Sequence, residues 1–169
     1  EYSDKAESKA IATNDTIERL SAHANKAAIF MRQGEFQKCV NTLTPIWSMV
    51  KQANYNVLML KYLSPLLKSY LQLGKTDSIA LYLPYADEAS RSLAATSNGV
   101  LGILEIKADL LGQQKKYAEQ WTLLDSIAKL SSTNQAMPKD KLLATKAKCL
   151  HKMGKSAQAY QTMHEAYLQ

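Results

Sequence analysis

The sequence predicts an all-α fold of four helical hairpins, and three observations carry that prediction. A short polar motif recurs four times at nearly constant spacing. Apolar residues flank each copy in steps of three to five, which keeps them on one face of a helix. Glycine and proline are scarce, six and four in 169 residues, too few for the many tight turns of an all-β chain.

The motif reads "MRQGEF" (31–36), "LQLGKT" (71–76), "GQQKKY" (112–117) and "HKMGKS" (151–156). The residue two after the turn glycine is Phe36, Thr76, Tyr117 or Ser156, at spacings of 40, 41 and 39. In the third copy Lys115 stands where the others have glycine. Such self-similarity is the mark of a repeat architecture. Seven residues before the glycine position stand Ala27, Leu67, Ala108 and Ala147, and four before it Phe30, Tyr70, Leu111 and Leu150. Five after it come Cys39, Ile79, Gln120 and Ala159, and nine after it Leu43, Leu83, Leu124 and Met163. Each unit therefore reads as a helix, a tight turn and a second helix. The glycine supplies the left-handed conformation that ends the first helix without steric cost.

In chain order, helices are expected over 4–33, 35–51, 55–73, 76–93, 98–113, 116–131, 138–153 and 156–168. They pair into hairpins 4–51, 55–93, 98–131 and 138–168 of a single domain, 1–169. "TND" (13–15) offers a cap that would start a new segment within the first stretch. The linkers "KQANYN" (51–56), "ATSNG" (95–99) and "SSTNQAMPKD" (131–140) are polar and rich in turn formers. Pro138 lies in the last of them, while Pro45, Pro65 and Pro84 fall inside expected helices, where proline kinks the axis. Ser64-Pro65 reads alternatively as a cap followed by a first-turn proline.

Composition narrows the function. The net charge is +6, yet only Arg19, Arg32 and Arg91 are arginines among 21 basic residues. Nucleic-acid readers lean on the planar arginine fork, and these lysines are spread along the chain, so no nucleic-acid partner is expected. Cys39 and Cys149 each sit in an apolar helical pattern and read as small core residues. No run of 18 apolar residues exists, so no membrane insertion by this segment is expected. His23, His151 and His164 form no metal-ligand spacing, and no phosphate loop or nucleophile motif appears. The expectation is a non-enzyme without metal or cofactor. "NDT" (14–16) matches a glycosylation acceptor, a pattern frequent by chance. Tyr70, Tyr117 and Tyr160 occupy repeat positions and are expected to pack, whereas Tyr55, Tyr82 and Tyr85 are candidates for surface contact.

On these motifs the chain resembles the tetratricopeptide repeat, best in "AAIFMRQGEFQKCVNTL" and next in "KAKCLHKMGKSAQAYQTM". The resemblance implies a right-handed superhelix whose concave surface holds a protein or peptide partner. Three features depart from the family pattern. The repeat is about 40 residues rather than the usual 34. The closing proline is missing, with Lys51, Arg91 and Ser132 near its place. Gln120 occupies a small-residue position, where Trp121 is expected to fill the gap. Long-helix variants resemble repeats in bacterial sensor and regulatory proteins, including histidine kinases and transcription regulators. The opening "EYSDKAESK" and closing "HEAYLQ" look like the ends of a piece of a longer protein or of a mature exported chain. The resemblance to sensor and regulatory repeats implies the sensing or partner-binding region of a larger bacterial signalling protein, leaning to the cell envelope, with a cytoplasmic peptide-responsive regulator or free adaptor as the alternative. A helical enzyme or small-ligand carrier is the reading from another class.

The family's groove is lined by the first helices of its hairpins. Solvent-facing candidates there are Arg32, Lys61, Ser64, Lys68, Gln72, Glu105, Asp109, Gln113, Lys141, Lys148, His151 and Lys152. The second and fourth hairpins contribute lysines and the third contributes acids. Family members that grip a C-terminal carboxylate use a lysine-and-asparagine clamp; the matching positions here carry Ala24, Asn25, Ser64 and Pro65, so no such clamp is implied.

Overall fold

The computed structural model describes the backbone of residues 2–131 and 139–167, and the side chains of 15–130, 139–165 and 167. The described residues are all-helical and contain no strand. In chain order they form α1 (Tyr2–Arg32), α2 (Phe36–Leu43), a 3₁₀ turn (Thr44–Ile46), α3 (Trp47–Ala53), α4 (Asn56–Gln72), α5 (Thr76–Arg91), α6 (Asn98–Gln113), α7 (Tyr117–Ser131), α8 (Lys139–Lys152) and α9 (Ser156–Tyr167). By contacts the chain divides into two compact units, Glu1–Leu93 and Ala94–Gln169, with the break just before the "ATSNG" linker. Pro138 and the Asn14 side chain lie outside the described residues.

The four polar motifs fold into the same turn. Gly34, Gly74, Lys115 and Gly154 have φ of +78°, +68°, +60° and +77°. At each, the left-handed residue donates its N–H to the carbonyl three back: Gly34 to Met31, Gly74 to Leu71, Lys115 to Gly112 and Gly154 to His151. The next residue donates five back: Glu35 to Phe30, Lys75 to Tyr70, Lys116 to Leu111 and Lys155 to Leu150. This Schellman pair satisfies carbonyls that the helix end would otherwise orphan. The second helix then begins, with Cys39, Ile79, Gln120 and Ala159 each donating to the residue four before it.

Several sequence expectations change in detail. "TND" starts no new segment, and α1 runs unbroken for 31 residues; poor helix formers cost only a few tenths of a kcal/mol each. Pro45 does break its helix, because it lies in the 3₁₀ turn between α2 and α3. Ser64 is not a cap, since α4 continues through Pro65 for 17 residues. The "ATSNG" linker holds a true cap, where the Ser97 hydroxyl accepts from the Val100 N–H at 3.4 Å.

In the first unit α4 is the central helix, in contact with α1, α2 and α5. Leu58, Leu60, Tyr62, Leu63, Leu66, Leu67 and Leu71 are buried there, against Leu20, Ala24 and Ala27 of α1, Cys39 and Leu43 of α2 and Ile79 of α5. The Cys39 thiol donates to the Pro65 carbonyl at 3.5 Å, and the Tyr62 hydroxyl to the Leu43 carbonyl at 2.9 Å. In the second unit Leu101, Ala108, Leu124, Ile127, Leu142 and Cys149 form one apolar cluster. The Cys149 thiol donates to the Tyr117 carbonyl at 3.1 Å. Both cysteines are free and buried, and burial pushes both thiols up, away from thiolate chemistry.

Gln120 is itself buried, and Trp121 packs half-buried against the apolar cluster of this unit. Gly112 does the accommodating: a Cβ there would lie 2.6 Å from the Gln120 Nε2. The missing side chain on α6 is what lets a long amide occupy a small-residue position on α7.

Candidate functional site

The predicted site residues fall into three groups. Arg32 ends α1 and is exposed. On α4, Lys61, Ser64, Lys68 and Gln72 form one strip at steps of three and four along a helix that is otherwise mostly buried; Lys61 and Gln72 are exposed, Ser64 and Lys68 half-buried. In the second unit Glu105, Asp109 and Gln113 lie on α6, and Lys141, Lys148, His151 and Lys152 on α8. Lys141 and Glu105 meet as an ion pair at 3.1 Å, with Glu105 the more buried partner. These two spend their charge on each other, so that part of the expected alternation is internal cross-bracing of α8 to α6.

Lys148, His151 and Lys152 come together. They line one side of a groove of about 460 Å³ between α8 and α9, with Ala147 beside them and Ser156, Ala159, Tyr160 and Met163 opposite. Its surface is apolar in the middle and basic along the α8 rim. Tyr160 and Met163 are exposed there, and the ring of Tyr160 stacks on His164 with centroids 6.4 Å apart. The groove exists because the turn at Gly154 brings α9 back alongside α8, while the short side chains Ala147, Ser156 and Ala159 leave its floor low.

Tyr160 therefore departs from its expected packing role. Tyr82 departs the other way: expected at the surface, it is buried, its ring 5.2 Å from Trp47 and 5.8 Å from Tyr70. Tyr55 and Tyr85 are exposed as expected, although Tyr85 also meets Trp47 edge-on at 5.0 Å. The repeat register marks Tyr160 and Met163 as apolar positions but does not say whether a following element covers them. That missing signal is why sequence reasoning left them out of the site.

Among the described residues no helix is long and apolar enough to cross a membrane, and no group of three or more His, Cys, Asp or Glu side chains is placed to hold a metal ion. No protein-family model, curated protein or solved structure matches the chain. The fold defines a class, an all-α chain of repeat-like helical hairpins.

Proposed function

We propose that the chain is a non-catalytic scaffold that binds a protein or peptide partner, as the sensing or partner-binding region of a larger bacterial signalling protein of the histidine-kinase or transcription-regulator type. The α8–α9 groove carries this reading. An apolar floor with Tyr160 and Met163 accepts apolar side chains, and Lys148, His151 and Lys152 along one rim favour carboxylates in the same ligand. That combination suits an acidic amphipathic peptide, with apolar anchors supplying affinity and rim charge supplying specificity and association rate. The signalling setting rests on the resemblance of the long repeats to sensor and regulatory arrays.

The test is a displayed-peptide selection on the chain, followed by fluorescence anisotropy with the enriched peptide. Lys148→Glu with Lys152→Glu should raise Kd at least about tenfold, since each reversal turns an attraction into a repulsion, and should leave circular dichroism and melting unchanged. Binding should weaken with added salt. Failure to enrich any peptide, or equal affinity for the charge-reversed variant, would remove the groove from consideration. Lys68→Glu on α4 reports separately on whether the strip in the first unit takes part.

A further inference from the structure

The repeat register says what kind of element fits the open side of the last hairpin. Aligned on the turns, Tyr160, Met163 and Tyr167 stand where the first hairpin has Val40, Leu43 and Trp47, and where the third has Trp121, Leu124 and Ala128. Within each unit the first helix of the next hairpin meets those equivalents. In the first unit α4 stacks Tyr62 on Trp47 at 5.4 Å, and the Tyr62 hydroxyl reaches the Leu43 carbonyl. In the second, α8 holds Lys146 over the Trp121 ring at 4.6 Å and joins Leu142 and Cys149 to Leu124 in one cluster. Leu43 and Leu124 are consequently 0% and 2% exposed, whereas Met163 is 43%, Tyr160 73% and Tyr167 92% exposed.

The contacts are made by Tyr62 on α4 and by Leu142, Lys146 and Cys149 on α8; aligned on the turns, the α8 residues match Tyr62, Leu66 and Ser69 of α4. At the same register α1 carries Ala22, Lys26 and Ile29, all exposed, with Ile29 at 51%. One chain thus presents both an uncovered acceptor and an uncovered strip at the register of a donor.

We infer that the α8–α9 groove takes α1 of a second copy of this chain, seated as α8 is seated on α7. In that placement Lys26 lies over Tyr160, as Lys146 lies over Trp121. Ile29 packs at the turn end of α9, matching the place where Cys149 meets the start of α7. One feature of the internal contact is lost: Asp125, which holds Lys146 at 3.0 Å, is replaced in register by His164. The contact between copies is accordingly weaker than the one inside the unit. It joins two different surfaces, so it propagates head to tail. This inference rests on reading the groove as a binding face but uses its apolar part alone: the α1 strip carries Lys26 and no acid, so the basic rim takes no part in the contact between copies.

The test is sedimentation velocity on the wild type, Ile29→Glu and Met163→Glu, from about 5 to about 500 µM, a range that covers weak contacts. The wild type should associate with increasing concentration. Each variant alone should be monomeric, its association weakened at least about 30-fold by a charge at an apolar anchor. Both positions are exposed in the single chain, so both variants should keep the wild-type melt. Mixed in equal amounts, the variants should form a discrete dimer, because each retains the surface that the other lacks. A monomeric wild type, a monomeric mixture, or undiminished association of Ile29→Glu would each overturn the inference. Peptide binding by a chain that stays monomeric would overturn it while leaving the groove reading intact. Self-association in a chain that enriches no peptide would keep the groove as a contact between copies and overturn only the acidic-peptide reading.

Discussion

Lys115 sits at φ +60°, a conformation that costs a side-chain-bearing residue roughly 1–2 kcal/mol and glycine almost nothing. Its hydrogen bonds match those of Gly34, Gly74 and Gly154, so the turn overrides the residue's preference. Lys115→Gly should therefore stabilise the second unit by about 1 kcal/mol, seen as a higher melting temperature with unchanged helicity. An unchanged or lower melt would mean the lysine is not strained as placed. Gly34→Val runs the opposite experiment, since nothing crowds a Cβ there and only the backbone conformation resists it. Its melt should fall, and by more than a valine in an ordinary helix position would cost.

At the scale of helices, the approach of α6 to α7 depends on Gly112 and Gln120 together. A Cβ on residue 112 would meet the end of the Gln120 side chain, so Gly112→Ala should stabilise the wild type by less than alanine's helix preference alone gives, because the amide must shift aside. In a Gln120→Ala background nothing has to move, and the same change should stabilise by up to about 1 kcal/mol. A coupling between the two changes in a double-mutant cycle is the expected outcome; additive effects would separate the two residues. Most helix limits are legible in the sequence because apolar periodicity and a left-handed glycine coincide at each turn, and even Lys115 is betrayed by its register. The 3₁₀ turn at Pro45 and the unbroken passage of α4 through Pro65 are not, because proline is accepted or rejected by its surroundings in the fold and not by local sequence alone. The candidate site is legible only in part. Helical spacing identifies Lys148, His151 and Lys152 as solvent-facing, but whether Tyr160 is buried depends on what packs against it, and spacing alone carries no such information. The Lys141–Glu105 pair is hidden for the same reason, since it joins residues 36 apart.

Across the whole molecule the two units carry opposite electrostatic liabilities, and each has its own tryptophan, Trp47 in the first and Trp121 in the second. In the first unit burial, and then the neighbouring Tyr82 and Tyr70, raises the Tyr62 phenol well above its ordinary value of 10. Burial and Tyr82 push Tyr70 up to about 12. These folded-state values lie above the unfolded ones, so the contribution is complete below pH 10 and is lost as pH rises towards 12. The buried thiols shift in the same direction, Cys39 in the first unit and Cys149 in the second. Asp125 in the second unit goes the other way: hydrogen bonds from Lys129 and Lys146 hold its carboxyl below the ordinary 3.8. Its contribution is present above 3.8 and lost as pH falls through the depressed value; on an exposed carboxylate it is small. Two single-tryptophan variants separate these effects. With Trp121→Phe, the urea midpoint reported by Trp47 should fall steeply between pH 10 and 12. With Trp47→Phe, the midpoint reported by Trp121 should fall less at the basic end and decline modestly below pH 3.8. A Trp47 midpoint that stays flat while tyrosinate absorbance rises would mean the phenols ionise without cost, so the aromatic cluster would not be the desolvated core of the first unit. Identical curves from both probes would instead make the two units one cooperative body, and the liabilities of either would then belong to the whole chain.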